Sequence, residues 1–408
     1  MTAVYPSPRL LNILVAAAMT LILVCPAPAE ARRRQDFSGK GFSGENNIGV
    51  HRAEFRAAQE GMELLYQRRY LESLQVFEVA GIDFPDSPLG PVGRAIVYQA
   101  MMLENYDYSW DRAYMTEYGE AKDRMRVALR SDQYKAWNYF LAAIHLGIDA
   151  MYQVRKSEYL SAFNKAWDAL EYIKKVERVA PQFVDVQLGL GLYNYWRTAI
   201  TEKASYLPSF GDHRAEGLEQ MRLAKDKGLL ASAPAAIALS YSYMEQRNWS
   251  SALAEGAWAN RLYPNNIINQ MTIGRVHRMK KDWPAALAIF ERILEIDPEN
   301  KRVWFHIGET HYKSRRNNTE AKKAYNRYME TQPHAEYLAH TYYRLGLIER
   351  RRRHYDAAID LLKKAVTTWP KFKPAGARLD QVKKEKERRS SGQAPPPRVE
   401  HQAQRRPS

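Results

Sequence analysis

The sequence contains one cysteine, Cys25, in 408 residues. A disulfide needs two cysteines and a structural zinc site usually uses several, so neither can hold this chain together. If the segment that carries Cys25 is removed, the mature chain has no thiol nucleophile either. The chain must therefore be stable through its hydrophobic core, for which a content of 45% hydrophobic residues is ample.

Signatures of catalysis and of metal binding are also missing from the sequence. It has no phosphate-cradling glycine loop, no HExxH pair and no nucleophile-elbow pentapeptide. His306 and His311 flank Glu309, but five residues turn a helix by about 500°, so the two imidazoles point about 140° apart. We therefore expect no catalytic residues, no cofactor and no metal site.

Long apolar runs are scarce, and the clearest one lies near the N-terminus. Arg9 precedes the mostly apolar run Leu10–Val24, and small residues follow in Ala27–Ala31. This run of 15 residues is short for a membrane-spanning helix, which needs roughly 20. The three parts are those of a secretory signal peptide over residues 1–31, which predicts export to the periplasm or envelope if the source is bacterial.

Two other interpretations of the N-terminus stay open. The arginines at 32–34 follow the apolar run, and the positive-inside rule would then favour a signal-anchored membrane protein. Alternatively, Cys25 is the lipidated residue of a bacterial lipoprotein, although Val24 stands where such signals have a small residue.

Acidic residues are scarce at the C-terminal end. Residues 301–408 hold 26 Lys+Arg against 11 Asp+Glu, which accounts for the whole net charge of +15. A positive field at one end of a chain predicts an anionic partner or surface there. A solvated, solubilising face is the other interpretation.

Three prolines share an upstream pattern of an aromatic residue followed by small or apolar residues. The aromatic lies 15 positions before the proline and the others lie 12, 8 and 5 positions before it: Trp249, Ala252, Gly256, Ala259 and Pro264; Trp283, Ala286, Phe290, Ile293 and Pro298; Tyr355, Ala358, Leu362, Ala365 and Pro370. The first two sets lie 34 residues apart. A period of this length indicates a repeated pair of helices, each pair ended by proline.

Small residues recur where two such helices would cross. The first helix of each pair, helix A, carries Ser240, Gly274, Gly308 or Gly346, and the second, helix B, carries Ala252, Ala286, Ala321 or Ala358. Close approach of antiparallel helices requires small residues at the crossing. The pattern resembles the tetratricopeptide repeat family over 233–372 and 54–87. This resemblance implies an all-α superhelical solenoid of about eight antiparallel helix pairs plus a C-terminal cap helix.

The chain is accordingly divided into segments. After the signal peptide come a flexible leader (32–47), a first repeat (48–87), an irregular helical-hairpin region (88–230), the regular array (231–372), a cap helix (373–389) and a disordered basic tail (390–408). The repeats of the array are 233–266, 267–300, 301–335 and 339–372. The exit of the first repeat is also similar to repeats of the BamD-type outer-membrane assembly lipoproteins.

A partner-binding surface is expected on the concave side of the superhelix. The family resemblance implies that positions 2, 5, 9, 12 and 13 of each helix A line this groove, and their spacing keeps them on one stripe. The predicted partner-binding residues are aromatic, sulfur-containing or basic: Tyr241, Met244, Met271, Arg275, Arg278, Arg302, Phe305, Tyr312, Lys313, His340, Tyr343, Arg350 and Arg351. Such a stripe suits a peptide or protein with acidic groups.

We therefore predict a non-catalytic protein–protein interaction scaffold of the cell envelope. The first alternative is a structural envelope component that binds an anionic lipid or polysaccharide surface through the basic C-terminal end. The second alternative is an enzyme whose site lies in 88–230. Export argues against nucleic acid as the partner.

Overall fold

The computed structural model describes residues 48–201, 211–315 and 317–391. These residues form 17 α-helices and no β-strand, which confirms the predicted all-α fold. The predicted signal peptide and leader, and the basic tail apart from Ser390 and Ser391, lie outside the described residues. Within those residues, no helix is both long and apolar enough to span a membrane.

The helices follow one another with short connections. The first eight are α1 Arg52–Tyr66, α2 Tyr70–Asp83, α3 Leu89–Asn105, α4 Asp111–Ala128, α5 Lys135–Arg155, α6 Tyr159–Val179, α7 Val186–Thr201 and α8 Arg214–Lys227. The others are α9 Ser232–Glu245, α10 Trp249–Leu262, α11 Ile267–Lys280, α12 Trp283–Ile296, α13 Lys301–Ser314, α14 Asn318–Glu330, α15 Ala335–Arg351, α16 Tyr355–Thr368 and α17 Lys373–Ser390.

Consecutive helices pack as pairs, and glycine lets the two helices of a pair approach closely. A Cβ atom placed on Gly274 would lie 2.5 Å from the ring of Phe290 in the paired helix. At Gly308, a Cβ atom would lie 2.7 Å from the ring of Tyr325. Because real Cβ contacts are not this short, the structure confirms that these positions must stay small.

The irregular region is helical throughout its described part. Helices α5 and α6 have 21 residues each, longer than the 14 residues of α9 to α13. The last helix A, α15, begins at Ala335, four residues before the start predicted for that repeat. The cap helix α17 reaches Ser390. The division of the chain into segments otherwise stays a prediction.

The chain divides into two compact units after Val303. We call residues 48–303 the N-terminal unit and residues 304–391 the C-terminal unit, within the described part of the chain. The N-terminal unit contains six helix pairs and the start of α13. The C-terminal unit contains the rest of α13 and the helices α14 to α17.

Within the N-terminal unit, the first repeat packs against helices that follow it by about 200 residues. The rings of Tyr66 and Tyr263 lie 5.2 Å apart. The Tyr263 hydroxyl donates to Glu63 over 2.8 Å, and the Asn266 amide donates to the carbonyl of Tyr66 over 3.2 Å. These contacts join the first repeat to the regular array, and we call this arrangement the closure of the N-terminal unit.

A buried ionic cluster continues this closure. Arg68 donates to both carboxylate oxygens of Glu104 over 2.9 to 3.1 Å and to Asp297 over 2.9 Å. The Tyr70 hydroxyl donates to Glu104 over 2.6 Å. The side chain of Glu104 is only 3% exposed, so burial raises its pKa although Arg68 and Tyr70 oppose this. Arg68 of the first repeat is therefore bound both to Glu104 of α3 and to Asp297 at the end of α12.

Candidate functional site

In the N-terminal unit, four of the six predicted partner-binding residues are buried. Tyr241, Met244, Met271 and Arg302 have exposures of 1%, 5%, 1% and 6%. The prediction that their side chains line an open groove is therefore wrong in this structure. The inner helices α9 and α11 of this unit contact each other, and α11 also contacts α3. The apolar stripe is therefore packed between helices.

The two other predicted residues of this unit are arginines that stay half-buried. Arg275 donates to the Tyr241 hydroxyl over 3.1 Å, and its guanidinium lies 5.3 Å from the centre of that ring. Arg278 lies one turn further along α11 and is also half-buried. Arg275 therefore supports the packing of Tyr241.

Arg302 contacts the first half of its own unit. Its Nη1 donates to the carbonyl of Leu103 over 3.0 Å, and its guanidinium lies 4.8 Å from the centre of the Tyr106 ring. Leu103 lies in the last turn of α3, and Tyr106 caps that helix. A cation at the C-terminus of a helix is favourable, so Arg302 stabilises the closure of the unit.

In the C-terminal unit, the predicted residues lie on an aromatic face that remains partly accessible. Phe305 is partly buried, and its ring lies 5.5 Å from Tyr328 and 5.7 Å from Tyr337. Tyr343 is partly buried, and its ring meets the edge of Phe372 at 5.2 Å. These rings build a rigid floor on the helix A side of this unit.

His340 belongs to this floor as an aromatic rather than as a cation. Its ring lies 4.0 Å from that of Phe372. Burial, together with the charge of the neighbouring Arg344, lowers the pKa of His340 to about 4, although Glu309 opposes this. The side chain is therefore neutral at pH 7, which corrects the expectation of a basic group at this position.

A buried carboxylate, Glu309, binds cations of this face. Glu309 accepts hydrogen bonds from the Tyr325 hydroxyl over 2.8 Å and from both Nε and Nη2 of Arg344. Lys313, which is exposed, lies 3.3 Å from the same carboxylate. Burial acts to lower the pKa of Arg344, but Glu309 outweighs it and the pKa is raised. Arg344 is therefore a fixed charge.

Arg351 is a second exposed cation of this face. Its guanidinium lies 4.2 Å from the centre of the Tyr312 ring, and Arg344 lies 5.1 Å from the same ring. Tyr312 is itself 8% exposed, so it acts as a platform and its ring is not an open contact. In the described part of the chain, Arg351 makes no ion pair. Its neighbour Arg350 is held by Glu385 over 2.6 and 2.8 Å.

Sequence spacing did not find Arg344 or Phe372 as parts of this surface, and Glu309, at position 9 of its repeat, was not among the predicted binding residues. Arg344 lies next to the expected stripe of helix A positions, and Phe372 lies just before the cap helix. The separation of 35 residues between Glu309 and Arg344, about one repeat, is a signal that could have paired them. A search for opposite charges one repeat apart would have found this pair.

A second basic surface lies between the start of α16 and the end of α17. It is a cleft of about 600 Å³, lined by Arg353, His354, Tyr355, Asp356, Ala357, Lys386, Arg389 and Ser390. Lys386 pairs with Asp356, and the guanidinium of Arg389 lies 5.7 Å from the centre of the Tyr355 ring. Arg352 and Arg353 are exposed beside it. This cleft belongs to the basic end that the sequence predicts.

Comparisons with known proteins agree with this architecture. Two family models, both described as a tetratricopeptide repeat, match residues 278–341 and 339–370. Together with the stacked helix pairs, these matches show tetratricopeptide repeats over residues 278–370 of the chain. Repeats of this family generally serve as protein-interaction scaffolds.

Comparison with solved structures finds matches at low sequence identity. A human IFIT1 dimer with PPP-AAAA is 14% identical, with 95% of this chain and 88% of that chain covered and a TM-score of 0.52. The P58(IPK) TPR domain is 12% identical, with 82% and 99% covered and a TM-score of 0.24. The APC/C hetero-tetramer Cut9-Hcn1 is 12% identical, with 83% and 91% covered and a TM-score of 0.24.

No curated protein matches the sequence. Neither the family models nor these solved structures support the predicted resemblance to the BamD-type lipoproteins. At 14% identity, the likeness to the IFIT1 structure shows the fold alone.

Proposed function

We propose that this protein is an exported, non-catalytic scaffold of the cell envelope that binds an acidic peptide or protein through its C-terminal unit. The binding surface is the helix A side of α13 and α15. The observation that carries this proposal is the contrast in burial. The predicted residues of the N-terminal unit are mostly core, whereas Phe305, Lys313, His340, Tyr343, Arg350 and Arg351 of the C-terminal unit are exposed or only partly buried.

Arg351 is the anchor for an acidic group in this proposal. A guanidinium presents a planar fork that matches a carboxylate in two hydrogen bonds. The Tyr312 ring beneath Arg351 limits its side-chain motion, so less conformational entropy is lost on binding. Because the nearby Glu309 is occupied by Arg344 and Lys313, it does not compete for Arg351.

The aromatic floor supplies apolar contact beside this anchor. Phe305 and Tyr343 are held by other rings, and rigid aromatic side chains are common at interaction hot spots. His340, neutral at pH 7, extends the same floor. A partner with an acidic residue flanked by apolar residues fits this combination.

A second candidate function is binding of an anionic lipid or polysaccharide surface through the cleft beside Arg353. The observation that favours it is the exposure of Arg352 and Arg353 next to Lys386 and Arg389. Such binding is electrostatic and weakens strongly with salt. Retention of a protein partner at 0.5 M salt would favour the aromatic face over this cleft.

The test is a pull-down from nuclease-treated envelope extract, read by mass spectrometry, with two matched charge reversals. Arg351→Glu with Tyr343→Ala removes the anchor and part of the floor. Arg353→Glu reverses the same charge at the other cleft. We expect the first variant to lose its partners at least tenfold and the second to keep them.

Loss of partners in the second variant alone would support binding of an anionic surface instead. An unchanged partner list in both variants would contradict both candidate functions. Nuclease treatment excludes recovery of proteins through nucleic acid. Far-UV circular dichroism of both variants checks that the helices are kept. N-terminal sequencing of the mature chain tests export, with a start after Ala29 or Ala31 as the expected result.

A further inference from the structure

Arg155 is a cation buried in the N-terminal unit. It is the last residue of α5, and it is 2% exposed. A guanidinium stays protonated in a protein interior, so this side chain carries its positive charge out of water. Such a charge is strongly disfavoured unless an opposite charge and hydrogen bonds compensate for it.

The protein contacts of Arg155 leave part of this requirement unmet. Its Nη2 donates to the carbonyl of Asp107, and its guanidinium lies 5.4 Å from the centre of the Tyr106 ring and 4.8 Å from that of Tyr108. Its Nε and Nη1 are buried, and neither has a hydrogen-bond partner among the described residues. The guanidinium of Arg155 has five N–H donors and a full positive charge. Its contacts with the protein are one carbonyl and two ring faces.

The carboxylates of the α3–α4 connection and of the start of α4 accept hydrogen bonds from other groups. Asp107 accepts from Lys301 over 3.0 Å and from the Ser109 hydroxyl over 2.6 Å. Asp111 accepts a hydrogen bond from the Tyr152 hydroxyl. Within the described residues, Arg155 forms no ion pair. The chain therefore brings acids to this region but directs them to other donors.

A second buried guanidinium adds to the positive field. Arg302 lies 4.8 Å from the centre of the Tyr106 ring, so Arg155 and Arg302 are both close to this one side chain. Lys301 is next to Arg302 in sequence. Water could satisfy the N–H groups of Arg155, but only an anion would satisfy the N–H groups and balance the charge.

We propose that a small inorganic anion, of the size and charge of chloride, binds at Nε and Nη1 of Arg155. The deep burial of this side chain among tyrosines excludes large anions and the carboxylates of a partner. The anion sits where α3 ends, α5 ends and α13 begins, so it stabilises the closure of the N-terminal unit. This site is separate from the proposed partner surface and does not depend on it.

The test is the melting temperature of the full chain as chloride replaces gluconate at constant ionic strength. An anion that binds only the folded state stabilises it by mass action. At a chloride concentration tenfold above its Kd, we expect the Tm of the N-terminal unit to rise by roughly 2–4 °C. The rise should saturate, since a single site is filled.

The matched variants are Arg155→Met and Arg178→Met. Arg178 is an exposed arginine of α6, so its loss removes the same charge from the surface. We expect the Arg178 variant to keep the chloride response and the Arg155 variant to lose it. An equal response in both variants means an adventitious ion only and overturns the proposal, as does a wild type that ignores chloride.

Diffraction supplies a second measurement that does not depend on the Arg155 variant folding. Crystals of the wild-type chain soaked in bromide should show an anomalous peak within hydrogen-bond distance of Nε or Nη1 of Arg155. Bromide peaks at surface lysines and arginines alone would overturn the proposal.

Discussion

The two units are built from the same kind of helix pair, but they differ in the burial of the helix A stripe. In the N-terminal unit, Tyr241, Met244 and Met271 on the helix A stripe are core, whereas Tyr343 and Arg351 on the corresponding stripe of the C-terminal unit stay accessible. In the N-terminal unit, α9 and α11 contact each other, and α11 also contacts α3. A repeat pattern therefore defines how helices stack, and long-range closure decides whether their inner face is core or surface.

A bulky residue at the crossing of helix A with helix B should destabilise both units to a similar extent. In Gly274→Leu and Gly308→Leu, the new side chain would enter space held by Phe290 and Tyr325. We expect each substitution to lower the free energy of unfolding of its own unit by about 3 kcal/mol, through overpacking. Guanidinium unfolding with hydrogen exchange by peptide would assign the loss to a unit.

Gly119→Leu is the matched control, because a Cβ atom at Gly119 has nothing within 4 Å. Replacing glycine inside a helix by leucine should raise stability slightly. If all three leucines had the same effect, the two units would not share a close helix crossing.

The two units should differ in how much they depend on an ion pair between distant helices. Glu104→Ala leaves Arg68 with Asp297 alone in a mostly buried setting, and Arg68 is 21% exposed. We expect a loss of about 2–3 kcal/mol, below the range for a fully buried pair. Glu385→Ala breaks the pair with Arg350, in which both side chains are about 30% exposed, and should cost less than about 1 kcal/mol.

Hydrogen exchange sharpens this comparison. Opening of the closure by Glu104→Ala should speed exchange in α9 and α11, while Glu385→Ala should leave these helices protected. Equal protection in both variants would show that the inner face of the N-terminal unit stays packed without the closure.

The units should also respond to pH with opposite sign through one carboxylate each. Burial raises the pKa of Glu54 above its ordinary value of 4.5, against hydrogen bonds from Ser87 and Trp137. A raised pKa means that the folded state binds the proton more tightly, so the contribution of Glu54 is present below pH 4.5 and is lost as pH rises through the folded value. Glu54→Gln should therefore cost less stability at pH 7 than at pH 4.

In the C-terminal unit, hydrogen bonds from Arg350 lower the pKa of Glu385 below 4.5. Its contribution is therefore present above pH 4.5 and is lost as pH falls through the folded value. Glu385→Gln should cost more at pH 7 than at pH 3, and urea unfolding at each pH would measure both trends. Parallel trends for the two variants would contradict the assigned burial of Glu54.

The smallest effects on stability should come from substitutions in turns of the same kind, one in each unit. Lys281 and Arg353 have φ angles of 69° and 66°, in the left-handed region that favours glycine. Lys281→Gly and Arg353→Gly should each raise stability by up to about 1 kcal/mol. Arg352→Gly is the control, since its φ of −80° is helical and glycine there should destabilise.

Much of the fold could be predicted from the sequence because a helix pair is defined by nearby residues. The spacing of Trp283, Ala286 and Pro298 fits α12 and its end, and Gly274 fits its crossing with α11. The candidate site could be predicted only in part. Arg351 was placed on the stripe, but the platform of Tyr312 and the anchoring of Arg344 by Glu309 depend on packing between repeats.

The buried half of the predicted stripe shows why the rest was missed. An inner face that lines an open groove and one that is covered by a returning chain both need Tyr, Met and Ile at helical spacing. Tyr241 and Met271 therefore had no sequence feature that separated surface from core. Their burial goes with packing between helices far apart in the sequence, such as α11 and α3.

The sequence by itself determined the helix pairs, their order and the positive end of this protein, because each depends on residues within one repeat or on a sum of charges. Only the tertiary structure decided that the N-terminal unit closes and that the accessible helix A surface lies in the C-terminal unit. The physical reason is range: Tyr263 and Glu63 contact each other across 200 residues, and local periodicity holds no information about such a pair.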